Sequence, residues 1–583
     1  MDEQNNDQLK TKTDKSCKVH RTTDMDKNKP AYCVTDVPPW YLCIFLAVQH
    51  YLTAFSGIIS IPLILSEGLC LQHDSLTQSL LINNIFFVSG ICTVMQVIFG
   101  VRLPILQGGT FALVTPAMAV LSTPQWKCPA WTQNATLVNT SSPVFIEEWQ
   151  TRMRVLQGSI MVASVLQILV GFSGFIGFLM RFIGPLTIAP TVSLLGLSLY
   201  TSAGDKVTFL KTTALIILFS QYLRLNPLPV PAYSKTKKLH TSKFYVFQIM
   251  PILLGLAISW LVCHLLTVFD VLPSDPAHYG YLARTDVKGD VVSEASWFRL
   301  PYPGQWGTPT VNLAAVVGLL AGIICSMAES VGDYHACARL AGAPPPPKHA
   351  ISRGIGIEGI GCLLAGAFGT GNGTTSFSEN VAALGITKVG SRAVILLSGL
   401  FMILLGMLGK IGAIFTTIPT PVTGGMFLIM FGVIAAAGIS NLQFTDMNSS
   451  RNIFVFGFSV FSALAIPDWI TRNPEFLETG VKEVDQVLRV LLTTHMFVGG
   501  SLGFFLDNTI PGTKQERGLQ AWDKAPLEDS LSSEEVYDLP FGITSCLQNQ
   551  SWVVVALTLS QKRKSDQSVR ARYLITSNAG TES

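Results

Sequence analysis

What most constrains this 583-residue chain is a succession of apolar stretches long enough to cross a bilayer, which takes roughly 17–25 residues. They lie at 40–65, 79–100, 158–180, 185–203, 208–224, 246–269 and 309–330, then at 354–368, 393–417, 421–440, 452–470 and 485–507. Two more, 103–122 and 374–388, are too short or too polar for a plain hydropathy count, yet they fall in the same series. Counting both gives fourteen crossings and predicts an all-α integral membrane protein. The composition fits: 49% hydrophobic, 13% charged, mean hydropathy +0.42. A dispersed net charge of +3 gives nucleic acid nothing to bind.

Charge sets the orientation. Residues 1–38 are hydrophilic, with seven Lys/Arg between Lys10 and Lys29 and no apolar core before Tyr41, so they read as a disordered cytosolic tail. With that end inside, the inner loops hold Arg102, Arg181, Lys235, Lys237, Lys238, Arg339, Lys348, Arg353, Lys388, Arg392 and Arg451, as the positive-inside rule requires. The loop after the third crossing breaks the rule with Lys127, Arg152 and Arg154. It also carries sequons at Asn134 and Asn139, which are expected to be glycosylated outside the cell. Cys70 and Cys128 both fall in outer loops, where a disulfide is possible. The other cysteines show no metal-ligand spacing. The expected order is a cytosolic tail (1–38), a first repeat of seven segments (39–269), an extracellular loop (270–308), a second repeat (309–512) and a cytosolic tail (513–583).

One stretch resists the membrane reading. Residues 369–383, from Gly369 to Ala383, hold three glycines, five Ser/Thr, two asparagines and Glu379. Such a load facing lipid costs several kcal/mol for each uncompensated group, so the segment is expected to be a short, broken helix lining a cavity. Its counterpart in the first half is Gln107-Gly108-Gly109-Thr110-Phe111-Ala112, which matches Gly373-Thr374-Thr375-Ser376-Phe377-Ser378. Seven crossings per half would invert the second copy. Paired interrupted segments, here the third and the tenth, then point to a binding site at the midplane.

Few carboxylates lie deep in the apolar segments: Glu329, Asp333 and Glu379. Each is expensive there and is a functional candidate for that reason. Glu329 and Asp333 are four apart, hence on one helix face, where two carboxylates repel unless a cation, a proton or a ligand donor separates them. The plainer reading is that Asp333 and Arg339 mark the inner end of a helix. Glu358 reads as a structural group at a helix end, and His50 as an interior histidine.

The runs Gln49-His50-Tyr51-Leu52, Ala328-Glu329-Ser330-Val331-Gly332-Asp333-Tyr334 and Glu379-Asn380 resemble the nucleobase–ascorbate transporter family. So does Gly385-Ile386-Thr387-Lys388-Val389-Gly390-Ser391-Arg392, which is especially similar to the vertebrate sodium-dependent branch. The resemblance spans about Val37 to Gly512. It implies a core domain (segments 1–4 and 8–11), a gate domain (5–7 and 12–14) and a homodimer. By position it implies that Glu329 and Glu379 hold the base, that Phe111, His50, Ser378 and Asn380 belong to the substrate site, and that Asp333 serves sodium coupling as an oxygen ligand. Relatives that take ascorbate carry proline at position 379. Glutamate there opposes an anionic substrate and favours a neutral base. Ala382 departs from the family's glycine.

The expected function is sodium-coupled import of nucleobases (uracil, thymine, guanine, hypoxanthine, xanthine) across the plasma membrane by alternating access. Sodium is the coupling ion, and no cofactor is expected. The alternatives are a sodium-dependent ascorbate transporter or a non-transporting membrane scaffold or receptor. No nucleophile–base pair or metal cluster suggests an enzyme.

Overall fold

The computed structural model describes residues 32–133, 138–179, 182–204, 210–234, 238–244, 246–275, 278, 280–519 and 536–539. Asn134 and most of both tails lie outside these.

The first half contains α1 (Trp40–Gly68), α2 (Ser75–Ile98), the strand β1 (Gln107–Gly109), α3 (Phe111–Leu121), α4 (Pro143–Ser173), α5 (Pro185–Leu197), α6 (Leu210–Ile217) and α7 (Pro251–Val268). Between α6 and α7 lie β2 (Leu228–Ser234) and β3 (Lys238–Phe244). The second half contains α8 (Leu313–Leu340), α9 (Lys348–Phe368), β4 (Thr374–Ser376), α10 (Ser378–Thr387), α11 (Arg392–Gly406), α12 (Gly409–Thr416), α13 (Thr420–Ser440), α14 (Ser450–Arg472), α15 (Lys482–Thr493) and α16 (His495–Thr509). Among the described residues nine helical spans are long and apolar enough to cross a membrane. Two bent pairs, α11–α12 at 82° and α15–α16 at 79°, raise that to eleven.

Local chemistry sets several boundaries. Asp74 caps α2, accepting from Thr77 N at 2.9 Å, and Asn312 caps α8, accepting from Ala315 N at 3.1 Å. α9 stops at Gly369, whose φ of +71° suits glycine. Helix α4 packs along α9, and glycines let the two backbones meet. A Cβ on Gly359 would lie 2.7 Å from Ile168 N, the close approach that small residues permit between membrane helices.

The all-α class holds, and four details change. β2 and β3 pair as an antiparallel hairpin where an inner loop was expected, and β1 pairs with β4. The stretches 393–417 and 485–507 are each broken by a sharp bend rather than continuous. The first half of the latter, α15, carries Lys482, Glu483, Asp485 and Arg489 and is amphipathic. Helix α4 begins fifteen residues before the apolar stretch at 158, because its polar first turns are held outside the span: Arg152 donates to Trp126 O at 2.9 Å and Lys127 O at 3.0 Å. Finally, Glu358 sits in the middle of α9, fully buried, and is no helix-end group.

On the side opposite the arginine-rich loops, Cys70 and Cys128 are joined by a disulfide with their Cα atoms 5.7 Å apart. Asn139 is exposed in the same region. The loop between α7 and α8 folds over the end of α9: Trp306 Nε1 donates to Gly369 O at 2.9 Å, and Gln305 Nε2 to Phe368 O at 2.6 Å. It fixes the point where the chain enters the polar stretch.

Candidate functional site

The two Gly/Thr-rich runs meet as an antiparallel ribbon, Gln107 opposite Ser376, Gly108 opposite Thr375, and Gly109 opposite Thr374. Thr110 N to Gly373 O (3.3 Å) and Phe377 N to Leu106 O (3.0 Å) extend it by a bond at each end. The ribbon answers the question posed by a polar backbone inside a membrane protein: each run satisfies the other's N–H and C=O groups. Because the strands are antiparallel, α3 and α10 leave the ribbon at opposite ends. Their N-termini, with positive dipole ends that are partly capped, as where Thr110 Oγ1 accepts from Ala112 N at 3.1 Å, therefore both begin at the ribbon.

Side chains from α2, α8 and α9 hold it in place. Thr93 Oγ1 accepts from Gln107 N at 2.9 Å. Thr375 Oγ1 lies 3.0 Å from Ser326 Oγ and 2.9 Å from Ser330 Oγ. Glu358 Oε1 accepts from Ser376 Oγ at 2.6 Å, Tyr334 Oη at 2.8 Å and Gln107 Nε2 at 3.4 Å, and Gln96 Nε2 donates to Tyr334 Oη at 2.7 Å. This carboxylate joins α2, α8, α9 and both strands. It was missed as a site element because its partners lie 18, 24 and 251 residues away in sequence. The polar character of Gln107 and Tyr334, both inside motifs already singled out, was the available signal.

The residues proposed from sequence are brought together around α10. Ser378 is its first residue and Glu379 its second, so Glu379 lies at a positive helix end. Ser378 Oγ donates to Asp333, with 2.8 Å to Oδ1 and 3.0 Å to Oδ2. Asp333 is buried and seven residues short of the end of α8, so it does not mark the helix terminus, whereas Arg339 is exposed in the last turn. Glu329, one turn earlier on the same face, is half-buried and within the electrostatic reach of Glu379 and Glu358. Asn380 Nδ2 donates to His50 O at 2.9 Å and lies 3.2 Å from His50 Nδ1, which leaves the proton of a neutral His50 on Nε2. Phe111, first in α3, meets Phe431 of α13 edge to face at 5.9 Å between centroids.

Buried polar atoms without partners among the described residues also occur here: Gln107 Oε1, Glu358 Oε2, Thr374 Oγ1 and Asn380 Oδ1, with both amide atoms of Gln49 beside His50. Such atoms are costly unless something else meets them. No three His, Cys, Asp or Glu side chains among the described residues are grouped to hold a metal ion. A separate cavity of about 720 Å³, lined by Trp260, His264 and Asp286, lies at the other end of α7 and contains none of these carboxylates. At its rim, Arg284 beside Asp286 holds that carboxyl below the usual range.

Comparison with known proteins places this arrangement. The sequence profile described as Permease family matches residues 42–471. Solute carrier family 23 member 2 of Mus musculus is 49% identical over 527 residues, covering 89% of this chain and 81% of that protein. Solute carrier family 23 member 1 of Rattus norvegicus is 50% identical, covering 88% and 86%. Nucleobase-ascorbate transporter 1 of Arabidopsis thaliana is 36% identical, covering 88% and 96%. The solved structure of the murine anion transporter Slc26a9 overlaps 73% of this chain and 66% of its own at a TM-score of 0.41 and 14% identity, too low to bear on function. With the profile match and near-50% identity over most of its length, the chain belongs to the permease family, as a multi-pass membrane transporter and not an enzyme.

Proposed function

We propose that this transporter is a sodium-coupled symporter that imports neutral nucleobases (uracil, thymine, guanine, hypoxanthine or xanthine) across the plasma membrane, with both termini in the cytosol. The observation that carries this reading is the position of Glu379, half-buried at the first turn of α10 beside Ser378, whose hydroxyl meets Asp333 on the face of α8 that also carries Glu329. A carboxylate accepts two N–H bonds along the edge of a uracil or purine ring. An anionic substrate would be repelled by the same pair.

Phe111 supplies a ring face beside the helix start, and the positive ends of the α3 and α10 dipoles favour the carbonyl oxygens of the base. Asp333 and the Ser378 hydroxyl are hard oxygen donors suited to sodium. Sodium held there would neutralise part of the acidic cluster and favour substrate binding by linkage. The ribbon, its carboxylates and the helices that brace them would move as one core against the gate helices, exposing the site to each side in turn, and the protein would act as a homodimer. Fourteen crossings in two inverted repeats fit this cycle.

A second reading is sodium-dependent ascorbate transport, favoured by the names of the plant relatives, nucleobase-ascorbate transporters. An uptake panel decides between them. Radiolabelled uracil, hypoxanthine and ascorbate are offered with sodium and with its replacement by choline. Uracil uptake that needs sodium supports the proposal. Ascorbate uptake without base uptake sinks it, and a protein that moves neither substrate would be a scaffold or receptor.

A further inference from the structure

Helices α15 and α16 are consecutive, yet they pack on different parts of the protein. Helix α16 lies against α5 and α14: a Cβ on Gly499 would collide with Leu194 Cδ1 of α5 and lie 3.0 Å from Ala463 Cβ of α14. At Thr494 the axis turns by 79°, and α15 reaches across to α8 and α3, which flank the ribbon. Thr494 is buried at this corner, and its hydroxyl donates to Val490 O at 2.6 Å.

Most of α15 has the character of a surface helix, with Lys482, Glu483, Asp485 and Arg489 along it. Val490 is the exception. It is 1% exposed and packs among Val120 of α3, Val155 of α4, and Ala314 and Ala315 of α8. Its side chain fills a notch over Gly318, where a Cβ would collide with Val490 Cγ1 and lie 3.7 Å from Pro116 Cβ of α3.

The place of this notch along α8 gives the contact its meaning. Gly318, Cys325 and Glu329 follow at spacings of seven and four, so they share one helix face. Gly318 lies in the second turn of α8, at the outer end, and Glu329 is about 16 Å further along the axis. Helix α3 runs between the same levels, from Phe111 at the ribbon to Leu121 at the outer end. Val490 therefore sits across the outer ends of the two helices whose inner parts present Phe111 and Glu329.

We propose that Val490 is the outer gate of the substrate path, carried by the α5–α14–α16 bundle and seated in a notch of the ribbon-bearing one. An apolar closure of this kind excludes water and polar solutes, so the site is shut to the outside in this arrangement. Valine on a helix has one strongly preferred rotamer, so the side chain cannot simply swing clear. Opening needs α15 to part from α8, and the break at Thr494 is the element end that can absorb such a movement.

The gate deepens the alternating-access reading and rests on it, so the first arm of the test needs neither substrate nor sodium. Cys325, 4% exposed and between the notch and Glu329, is a native reporter of access from outside. Intact cells bearing the full-length protein are treated with a cationic, membrane-impermeant methanethiosulfonate, and modification of the Cys325 peptide is followed by mass spectrometry. Val490→Ala removes two buried carbons from the closure and is expected to speed modification about tenfold. Gly318→Ala forces Val490 out of the notch and is expected to have a similar effect. In the double variant the methyl on α8 fills the space that valine leaves, so the rate is expected to return toward wild type. General destabilisation would not be reversed in that way. Equal rates in wild type and Val490→Ala overturn the seal, and so does a double variant as fast as either single one. Gly318→Ala decides the comparison if Val490→Ala does not reach the surface.

The second arm asks whether the seal opens. In the wild type, external sodium in place of choline is expected to speed Cys325 modification about threefold by favouring the outward state. Sodium-driven uracil uptake with a modification rate that ignores sodium overturns the gate and makes Val490 part of a fixed wall. A wild type that takes up no base counts against the transport reading alone, because the variants still decide the seal.

Discussion

Ser378 places its hydroxyl between the two oxygens of Asp333, 2.8 Å from one and 3.0 Å from the other, so the first residue of α10 is bonded to the middle of α8. A residue assigned to substrate and a residue assigned to the ion therefore form one unit. A change at either should be felt by both ligands. Ser378→Ala removes a hydrogen bond to a carboxylate, worth about 1.5–3 kcal/mol, or roughly tenfold or more in an equilibrium. The expected outcome is a shift of about tenfold in the sodium concentration for half-maximal uptake. Asp333→Asn should abolish sodium stimulation altogether. Sodium titrations of uptake check both, and sodium dependence that survives Asp333→Asn removes that residue from the coupling site.

The two carboxylates given to the base should behave differently from Glu358. Glu329→Gln and Glu379→Gln keep size and polarity but offer an N–H where an acceptor is needed. Each is expected to reduce base uptake at least about tenfold while the protein still reaches the surface, since a missing bond to a charged acceptor costs about 1.5–3 kcal/mol. Glu358→Ala instead leaves the donors of Ser376, Tyr334 and Gln107 facing one another without an acceptor. Each buried donor left without an acceptor costs about 1–3 kcal/mol. It should appear as lower thermal stability in detergent and reduced surface expression, with or without substrate.

These assignments also show where sequence reasoning reached and where it stopped. The spans were legible because length and apolarity are local properties. The break at 369–383 was legible because glycines and hydroxyls cannot face lipid. The pairing of Gln107–Gly109 with Thr374–Ser376 was not, since strands of three residues carry no periodicity. Only the similarity of the two runs hinted that they belong together. Glu329 and Asp333 could be put on one face by counting four residues. The partners of Glu358 could not be found by counting, because they converge only after α2, α8 and α9 pack. The bends before Gly409 and His495 escaped because each pair of helices, taken together, is still long and apolar enough to count as one span.

The outer disulfide bounds a segment with a sequence separation of 58 residues. The loop-entropy relation gives a stabilisation of about 4 kcal/mol for a closure of that length, with about 2 kcal/mol more typical when native strain intervenes. Cys128→Ser is expected to lower the midpoint of thermal unfolding and leave the substrate ranking unchanged, since Cys70 and Cys128 lie away from the ribbon. Peptide mapping with and without reductant checks the bond itself. Two unlinked peptides in the non-reduced digest would show that it does not form.

The ring of Phe377 fixes the ribbon against α1, and this can be tested by steric compensation. A Cβ on Gly57 would fall 2.5 Å from Phe377 Cζ, and one on Gly108 2.5 Å from Phe377 Cδ2, so the ring is wedged between two glycines, one on α1 and one on β1. Phe377 is 3% exposed and has no room to retreat. Gly57→Ala should therefore overpack the site and cost about 1–3 kcal/mol, displacing the start of α10 along with Ser378 and Glu379. The expected sign is a rise in KM for the base together with lower stability. Phe377→Leu alone should cost a similar amount by leaving a void, yet in combination with Gly57→Ala the smaller side chain makes room for the new methyl. A double-mutant cycle on thermal stability should then show a favourable coupling of about 0.5–3 kcal/mol, the range for residues in contact. Strict additivity of the two losses would mean that the ring and the glycine do not share this space.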